Sequence, residues 1–333
     1  MRFSSSLNQS FLIISKDEFI KSLDRLTEDE HEEVVMNANQ LIQDWETSKT
    51  VLLADFEGEN IGWGGELLTA QFLPTNSFNP ESLNYTGSTR AEESRTGLFV
   101  DARCEQGALL MKKIMESSEI QKLIWGADGD LSSLRHQCCL KAAQANFGAI
   151  NSKNVIDVQL GFSTESRRLG MPTMLNSLPY GATSSLPSKV CKSMYEPFGY
   201  NKQTFPLPMT HNLASYAVDD LHRIEVILEN EQPVNGSFHS AKQSTERLIT
   251  SLETNTWPMD FIQRERQYFS RKYGSKRREK AVWIYRASRH VELAFADKLS
   301  KNELHVLKNN KESMEPELRQ NSVIIPDNLA FSD

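Results

Sequence analysis

The apolar positions of the chain fall into short continuous runs separated by longer stretches of helical spacing. Phe11-Leu12-Ile13-Ile14 reads as a strand, and Ser15 then caps what reads as a helix through Phe19, Ile20 and Leu23. The acidic run Thr27 to Glu33 starts a second helical pattern that continues to about Trp45. Val51-Leu-Leu-Ala-Asp-Phe-Glu-Gly58 is the clearest strand, followed by strands at 66–73 (ELLTAQFL) and 97–102 (GLFVDA). A polar stretch, 74–95, separates the last two and is longer than most connections.

The alternation continues. QGALLMKKIMESSEI has helical apolar spacing, and KLIWGADGD (122–130) is a strand ending in acids. LSSLRHQCCLKAAQANFG is a helix stopped by Gly148, with Leu131, Leu134, Cys138 and Ala142 along its buried stripe. NVIDVQL (154–160) is a short strand or strand-to-helix junction, 165–210 is irregular around short helices, and THNLASYAVDDLHRIEVILEN is strongly helical. Strands alternating with helices predict an α/β fold, a mixed or largely parallel sheet covered by helices. From 240 to 310 only helical patterns occur, and the final residues, 311–333, read as loosely ordered.

Composition narrows the class. A chain of 333 residues at 39% hydrophobic content is long enough for a substantial core and is not of disordered type. The absence of a long apolar run predicts no membrane span, and the polar first ten residues predict no secretory signal, so the cytosol is the expected compartment. Cys104, Cys138, Cys139 and Cys191 lack metal-site spacing, and the adjacent pair reads as helix packing in a reducing compartment. The formal charge is -7, yet residues 264 to 290 hold ten Lys or Arg against two Glu, a local +8. Those ten are Arg264, Arg266, Arg271, Lys272, Lys276, Arg277, Arg278, Lys280, Arg286 and Arg289, interleaved with Tyr268, Phe269, Tyr273, Trp283 and Tyr285. This composition fits a phosphate track with stacking platforms, and equally an amphipathic helix with a solvated basic face. SKRREK within it is weakly like a nuclear import signal, and the region is also a candidate for docking a protein partner.

Acids stand beside apolar structure in four places: Asp55 with Glu57, Asp130 or Asp128, Asp157, and Asp219 with Asp220. In a strand, Asp55 and Glu57 share one face and Phe56 takes the other. Carboxylates near a core need compensation, and one divalent ion compensates several at once. Oxygen donors without a His or Cys cluster select Mg²⁺ or Mn²⁺, two of which form a common apparatus for phosphodiester hydrolysis. By pattern alone, helix caps and salt bridges account for these acids as well as ions do. Tyr216 lies four residues before Asp220, on the same helix face, where its phenol is placed to orient an attacking water.

Taken in order, DFE (55–57), WGADGDL (125–131), VIDVQL (155–160) and YAVDD (216–220) resemble the successive motifs of the DEDD superfamily of 3′-to-5′ exonucleases, in its tyrosine subclass. That group includes ribonuclease D and the Werner-type exonuclease domain. FLIISKDEF, the glutamine of ELLTAQFL and LFVDAR also resemble its first third, so the likeness covers about residues 11 to 230. It implies a ribonuclease-H-like mixed sheet flanked by helices and hydrolysis of RNA or single-stranded DNA from a free 3′ end with two divalent ions, Mg²⁺ or Mn²⁺. Asp55, Glu57, Asp130 and Asp220 take the ligand positions and Tyr216 the catalytic tyrosine, with Asp157 and Lys189 as auxiliary residues. Leu207 stands where the family often has arginine, with Pro208 retained, so a phosphate or packing contact is absent or supplied from elsewhere. The implied organisation is an N-terminal strand and helices (1–47), an exonuclease domain (48–232), a basic helical region (240–310) and a tail (311–333). The rival classes are an inactive, nucleic-acid-binding adaptor in an RNA-processing complex and a non-nuclease α/β protein whose acids are structural.

Overall fold

Unbroken apolar runs such as Val51 to Ala54 favour strands covered on both faces, and such strands form the centre of the molecule. The structure is a computed structural model that describes residues 2–4, 9–15, 18–21, 26–59, 66–76, 78–85, 95–136, 150–163, 169–183, 186 and 208–253. Its seven-stranded sheet has the order β1-β2-β7-β4-β3-β8-β9. The strands are β1 (Arg2–Ser4), β2 (Ser10–Ile14), β3 (Val51–Glu59), β4 (Glu66–Thr75), β7 (Thr96–Asp101), β8 (Gln121–Ile124) and β9 (Val155–Asp157). β2 is parallel to β7, and β3, β8 and β9 are mutually parallel, while β1 and β4 pair antiparallel with their neighbours. A small hairpin, β5 (Phe78–Asn79) with β6 (Asn84–Tyr85), occupies part of the polar excursion. The fold is thus a mixed α/β sheet flanked by helices.

Seven helices accompany the sheet among the described residues: α1 (Glu28–Thr47), α2 (Glu105–Glu116), α3 (Asp128–His136), α4 (Val158–Gly161), α5 (Met171–Ser177), α6 (His211–Asn230) and α7 (His239–Glu253). α1 starts where the sequence signals it. Thr27 accepts from the Glu30 backbone N–H, and Glu30 accepts in return from the Thr27 N–H at 2.8 Å, a reciprocal cap that also holds the Glu30 carboxyl below its ordinary pKa. The expected helix through Phe19 and Ile20 is not what these two residues form. Ile20 instead makes an isolated parallel bridge to Met209, and Phe19 packs edge-on against Phe99 at 5.2 Å. Non-local pairing there outweighs the local helical spacing.

The sheet separates two cores. On one face Leu52, Ala54 and Phe56 of β3 meet Val34, Ala38, Ile42 and Trp45 of α1 and Leu110, Met111 and Ile114 of α2. On the other, Val51 and Leu53 meet Leu213, Ala217 and Ile224 of α6. Period-2 geometry therefore places Asp55 and Glu57 on the α6 face, continuing the row begun by Val51 and Leu53. Gly97 of β7 allows a close approach, since a Cβ there would stand 2.6 Å from the Phe11 ring. α7 packs on β9, sending Leu248 and Leu252 into the first core and Ala241 into the second. Among the described residues, no helix is long and apolar enough to cross a membrane.

Candidate active site

Three of the expected acids converge. Asp55 and Glu57 project from the end of β3, and Asp220 comes from α6, which packs across that strand. One carboxylate oxygen from each lies within 4.8 Å of the other two. Glu57 is buried at 5% exposure, while Asp55 and Asp220 are half-buried. At 4.8 Å and an effective dielectric constant near 20, each like-charged pair repels by roughly 3 kcal/mol. That repulsion is what a cation in the group would relieve.

The strand pairing is irregular at this point. The register of β3 on β4 shifts between Glu57 and Gly58, a bulge that gives β4 one extra residue beside the acids. Asp55 stands opposite Gln71, and Glu57 opposite Thr69. Gln71 is fully buried and donates from Nε2 to Thr69 Oγ1 at 2.6 Å, while its Oε1 accepts no hydrogen bond from the described residues. An oxygen-only donor set with a neighbouring orphaned amide oxygen fits a hard divalent cation such as Mg²⁺ or Mn²⁺.

Tyr216 is buried, one helical turn before Asp220 on α6. Asp130 stands apart from the three-acid group: it is a buried residue in the first turn of α3, where the helix dipole favours a negative charge. Asp157 supports the segment that leads into α3. Fully buried at the end of β9, it caps α4 and its Oδ1 accepts from the backbone N–H groups of Gln159 at 3.0 Å and Gly126 at 2.9 Å. Gly126 has φ +73°, the left-handed geometry of the turn that leads into α3, so Asp157 braces the turn that presents Asp130. Phe72 of β4 is fully buried and packs edge-on against Phe56 at 5.9 Å. Lys189 and the ten basic residues from Arg264 to Arg289 lie outside the described residues.

One charged neighbour escapes a search restricted to acids. Arg223, buried at 5% exposure, lies three residues after Asp220 on α6, with Nε 3.4 Å from Asp220 Oδ1. A basic residue at i+3 from a site acid in a helix was the available signal.

No protein-family model matches the chain, and no curated protein matches it. Solved structures give weak likenesses. Trypanosoma brucei RNase D aligns at 15% identity with a TM-score of 0.43, over 66% of this chain and 70% of that one. The catalytic core of RRP6 from the same organism aligns at 15% identity and TM-score 0.38, over 99% and 77% of the two chains. Escherichia coli RNase D, described as an exoribonuclease involved in structured RNA processing, aligns at 13% identity and TM-score 0.39, over 96% and 76%.

Proposed function

We propose that the chain is a divalent-metal-dependent 3′-to-5′ exonuclease of the DEDD type with a catalytic tyrosine, acting on RNA and, less preferentially, on single-stranded DNA. The observation that carries this reading is the meeting of Asp55, Glu57 and Asp220 beside Tyr216, which are the motif residues singled out from widely separated parts of the sequence. Of the two ions expected, Asp55, Glu57 and Asp220 would hold one, and Asp130, outside that group in the first turn of α3, would contribute through the other or through outer-shell water. When bound, Mg²⁺ or Mn²⁺ acidifies water and stabilises charge on the leaving oxygen. The buried phenol of Tyr216 hydrogen-bonds the attacking water and directs it at the terminal phosphorus. Attack forms a new P–O bond and breaks the bond to the penultimate 3′ oxygen, which leaves as a 3′-hydroxyl after gaining a proton. The products are a nucleoside 5′-monophosphate and a strand shorter by one residue. Asp157 acts through the Gly126 turn as a positioning residue, and Lys189 and the basic residues from Arg264 to Arg289 contact the phosphates of the strand.

The test uses 5′-labelled and 3′-labelled single-stranded RNA and DNA with the full chain in Mg²⁺, Mn²⁺ or EDTA. Mononucleotide release from the 3′ end that EDTA abolishes is expected, with RNA the faster substrate. Asp55→Asn should lower the rate by roughly three orders of magnitude or more, given the weight of the lost charge. Strand binding without metal-dependent release would instead identify an adaptor, and full activity in the Asp55→Asn protein would reject the site.

A further inference from the structure

Arg223 changes the charge arithmetic of the acid group. Asp55, Glu57 and Asp220 together carry three negative charges, and the guanidinium beside Asp220 brings the sum to -2. A divalent ion carries the charge that offsets these four side chains taken together. The arginine is no surface counter-charge: its side chain is 6% exposed and that of Asp220 14%. A buried guanidinium is strongly disfavoured without an acid partner, and its attraction is little screened by salt. The i, i+3 spacing on a rigid helix fixes the pair, so Asp220 faces both β3 and its own arginine.

Two consequences follow from the same contact. Without an ion, Arg223 opposes the repulsion among three carboxylates and holds Asp220 toward β3. With an ion, the same positive charge opposes the newcomer. We propose that Arg223 is a positioning residue of the candidate cation site, a resident monovalent charge that keeps Asp220 in place in the ion-free protein and lowers the affinity of the group for divalent cations. This rests on the reading of Asp55, Glu57 and Asp220 as cation ligands. It is separate from the identity of the substrate and from Asp130, which stands outside the three-acid group.

The sign of one measurement decides it. Binding of Mn²⁺ alone to the full chain, followed by calorimetry and by electron paramagnetic resonance of the free ion, is compared across wild type, Arg223→Met, Arg223→Gln and Arg223→Lys. Wild type should take up Mn²⁺, and Asp55→Asn should lose most of that binding. Arg223→Met and Arg223→Gln should bind Mn²⁺ at least tenfold more tightly, and Arg223→Lys, which retains the charge, should stay within about threefold of wild type. In EDTA the two neutral variants should melt at a lower temperature than wild type, and saturating Mn²⁺ should raise their melting temperature by more than it raises that of wild type. A merely structural arginine predicts the opposite for the affinity, because a loosened Asp220 would bind the ion less well. Unchanged or weaker Mn²⁺ binding in folded Arg223→Met or Arg223→Gln, as judged by circular dichroism, overturns the proposal while leaving the cation site standing. Absence of Mn²⁺ binding in wild type overturns both. Should the neutral single variants fail to fold, Asp220→Asn/Arg223→Met removes the pair together. Its Mn²⁺ affinity compared with that of Asp220→Asn alone gives the same sign test.

Discussion

Two acid-arginine pairs lie five residues apart on α6, and their surroundings differ. Glu225 is enclosed by donors: Arg95 grips both of its oxygens, at 2.5 and 2.8 Å, and Thr75 Oγ1 donates at 2.9 Å. The same arginine donates to the Pro74 carbonyl at 2.9 Å, so both ends of the polar excursion between β4 and β7 are tied to one helix. One acid and one base make that network neutral, and it uses the planar fork of arginine fully. At Asp220 there are three carboxylates and one guanidinium, whose Nε is 3.4 Å away. A neutral, well-bonded pair is architecture, whereas the acid-rich group formed by the same helix and β3 has the charge and donor set to take up a cation. The contrast separates the part of α6 that holds the fold from the part that belongs to the candidate site.

The largest effect should come from breaking the neutral pair. Glu225→Gln or Arg95→Ala leaves a buried charge without its partner and should reduce stability by about 3 to 5 kcal/mol in urea titrations. Mn²⁺ affinity, read on the folded fraction, should change little beside that loss. The acid limb of stability provides a second check. Burial pushes the Glu225 carboxyl up, but the hydrogen bonds and charge of Arg95, with Thr75 and His222, outweigh it and leave the pKa below its ordinary 4.5. A lowered folded-state pKa contributes stability that is complete above about 4.5 and is lost as pH falls through the folded value. Glu225→Gln should therefore flatten the stability profile below pH 4.5. A tenfold change in Mn²⁺ affinity would show that the two ends of α6 are coupled rather than separate.

Much of this division was legible in the sequence, though unevenly. β3, β4, β7 and β8 lie where the apolar runs placed them, because burial on both faces leaves an unbroken hydrophobic signature. Motif order gave Asp55, Glu57, Asp130 and Asp220 as one set, of which Asp55, Glu57 and Asp220 come together while Asp130 lies outside their group, and i to i+4 spacing put Tyr216 on the face of Asp220. The three-residue strand β1 was missed, since Arg2–Ser4 has no apolar alternation and is defined by antiparallel pairing with Ser10 to Leu12. Phe19 and Ile20 read as helical because spacing is local, whereas their actual pairing is with Met209, far along the chain. Asp157 resembled a site acid, and its role as the brace of the Gly126 turn depends on hydrogen bonds that no spacing rule encodes. Arg223 was invisible to a search for anionic ligands, although its position relative to Asp220 was plain.

A third buried charge sharpens the comparison at intermediate size. Lys122 of β8 is fully buried and donates from Nζ to the carbonyls of Ser117 at 2.7 Å and Ile120 at 2.8 Å. Burial lowers its pKa from the ordinary 10.5 to about 7, opposed by the charge of Glu46. The unfolded chain holds the proton up to the higher value and the folded chain releases it near the lower one. Stability should accordingly rise with pH between about 7 and 10.5. Lys122→Met should remove most of that rise, a change of a few kcal/mol across the interval, although it also forfeits two hydrogen bonds. Equal slopes in wild type and variant would mean that Lys122 keeps its proton in the fold.

The smallest effect has the opposite sign. Asp55→Asn removes one member of the three-acid group and two of its repulsive pairs, while keeping an oxygen and the size of the side chain. Each pair at this separation repels by roughly 3 kcal/mol at an effective dielectric constant near 20, but water reaches half-buried Asp55 and side-chain movement relieves part of the strain. The net gain in EDTA should be about 1 kcal/mol, visible as a rise in melting temperature. Saturating Mn²⁺ should reverse the order, because wild type gains the binding free energy of the ion and the variant loses most of it. Such a crossing, with activity abolished by the stabilising change, would separate a functional acid group from a structural one such as that at Glu225. A loss of stability in EDTA would place Asp55 with Glu225 as part of the architecture.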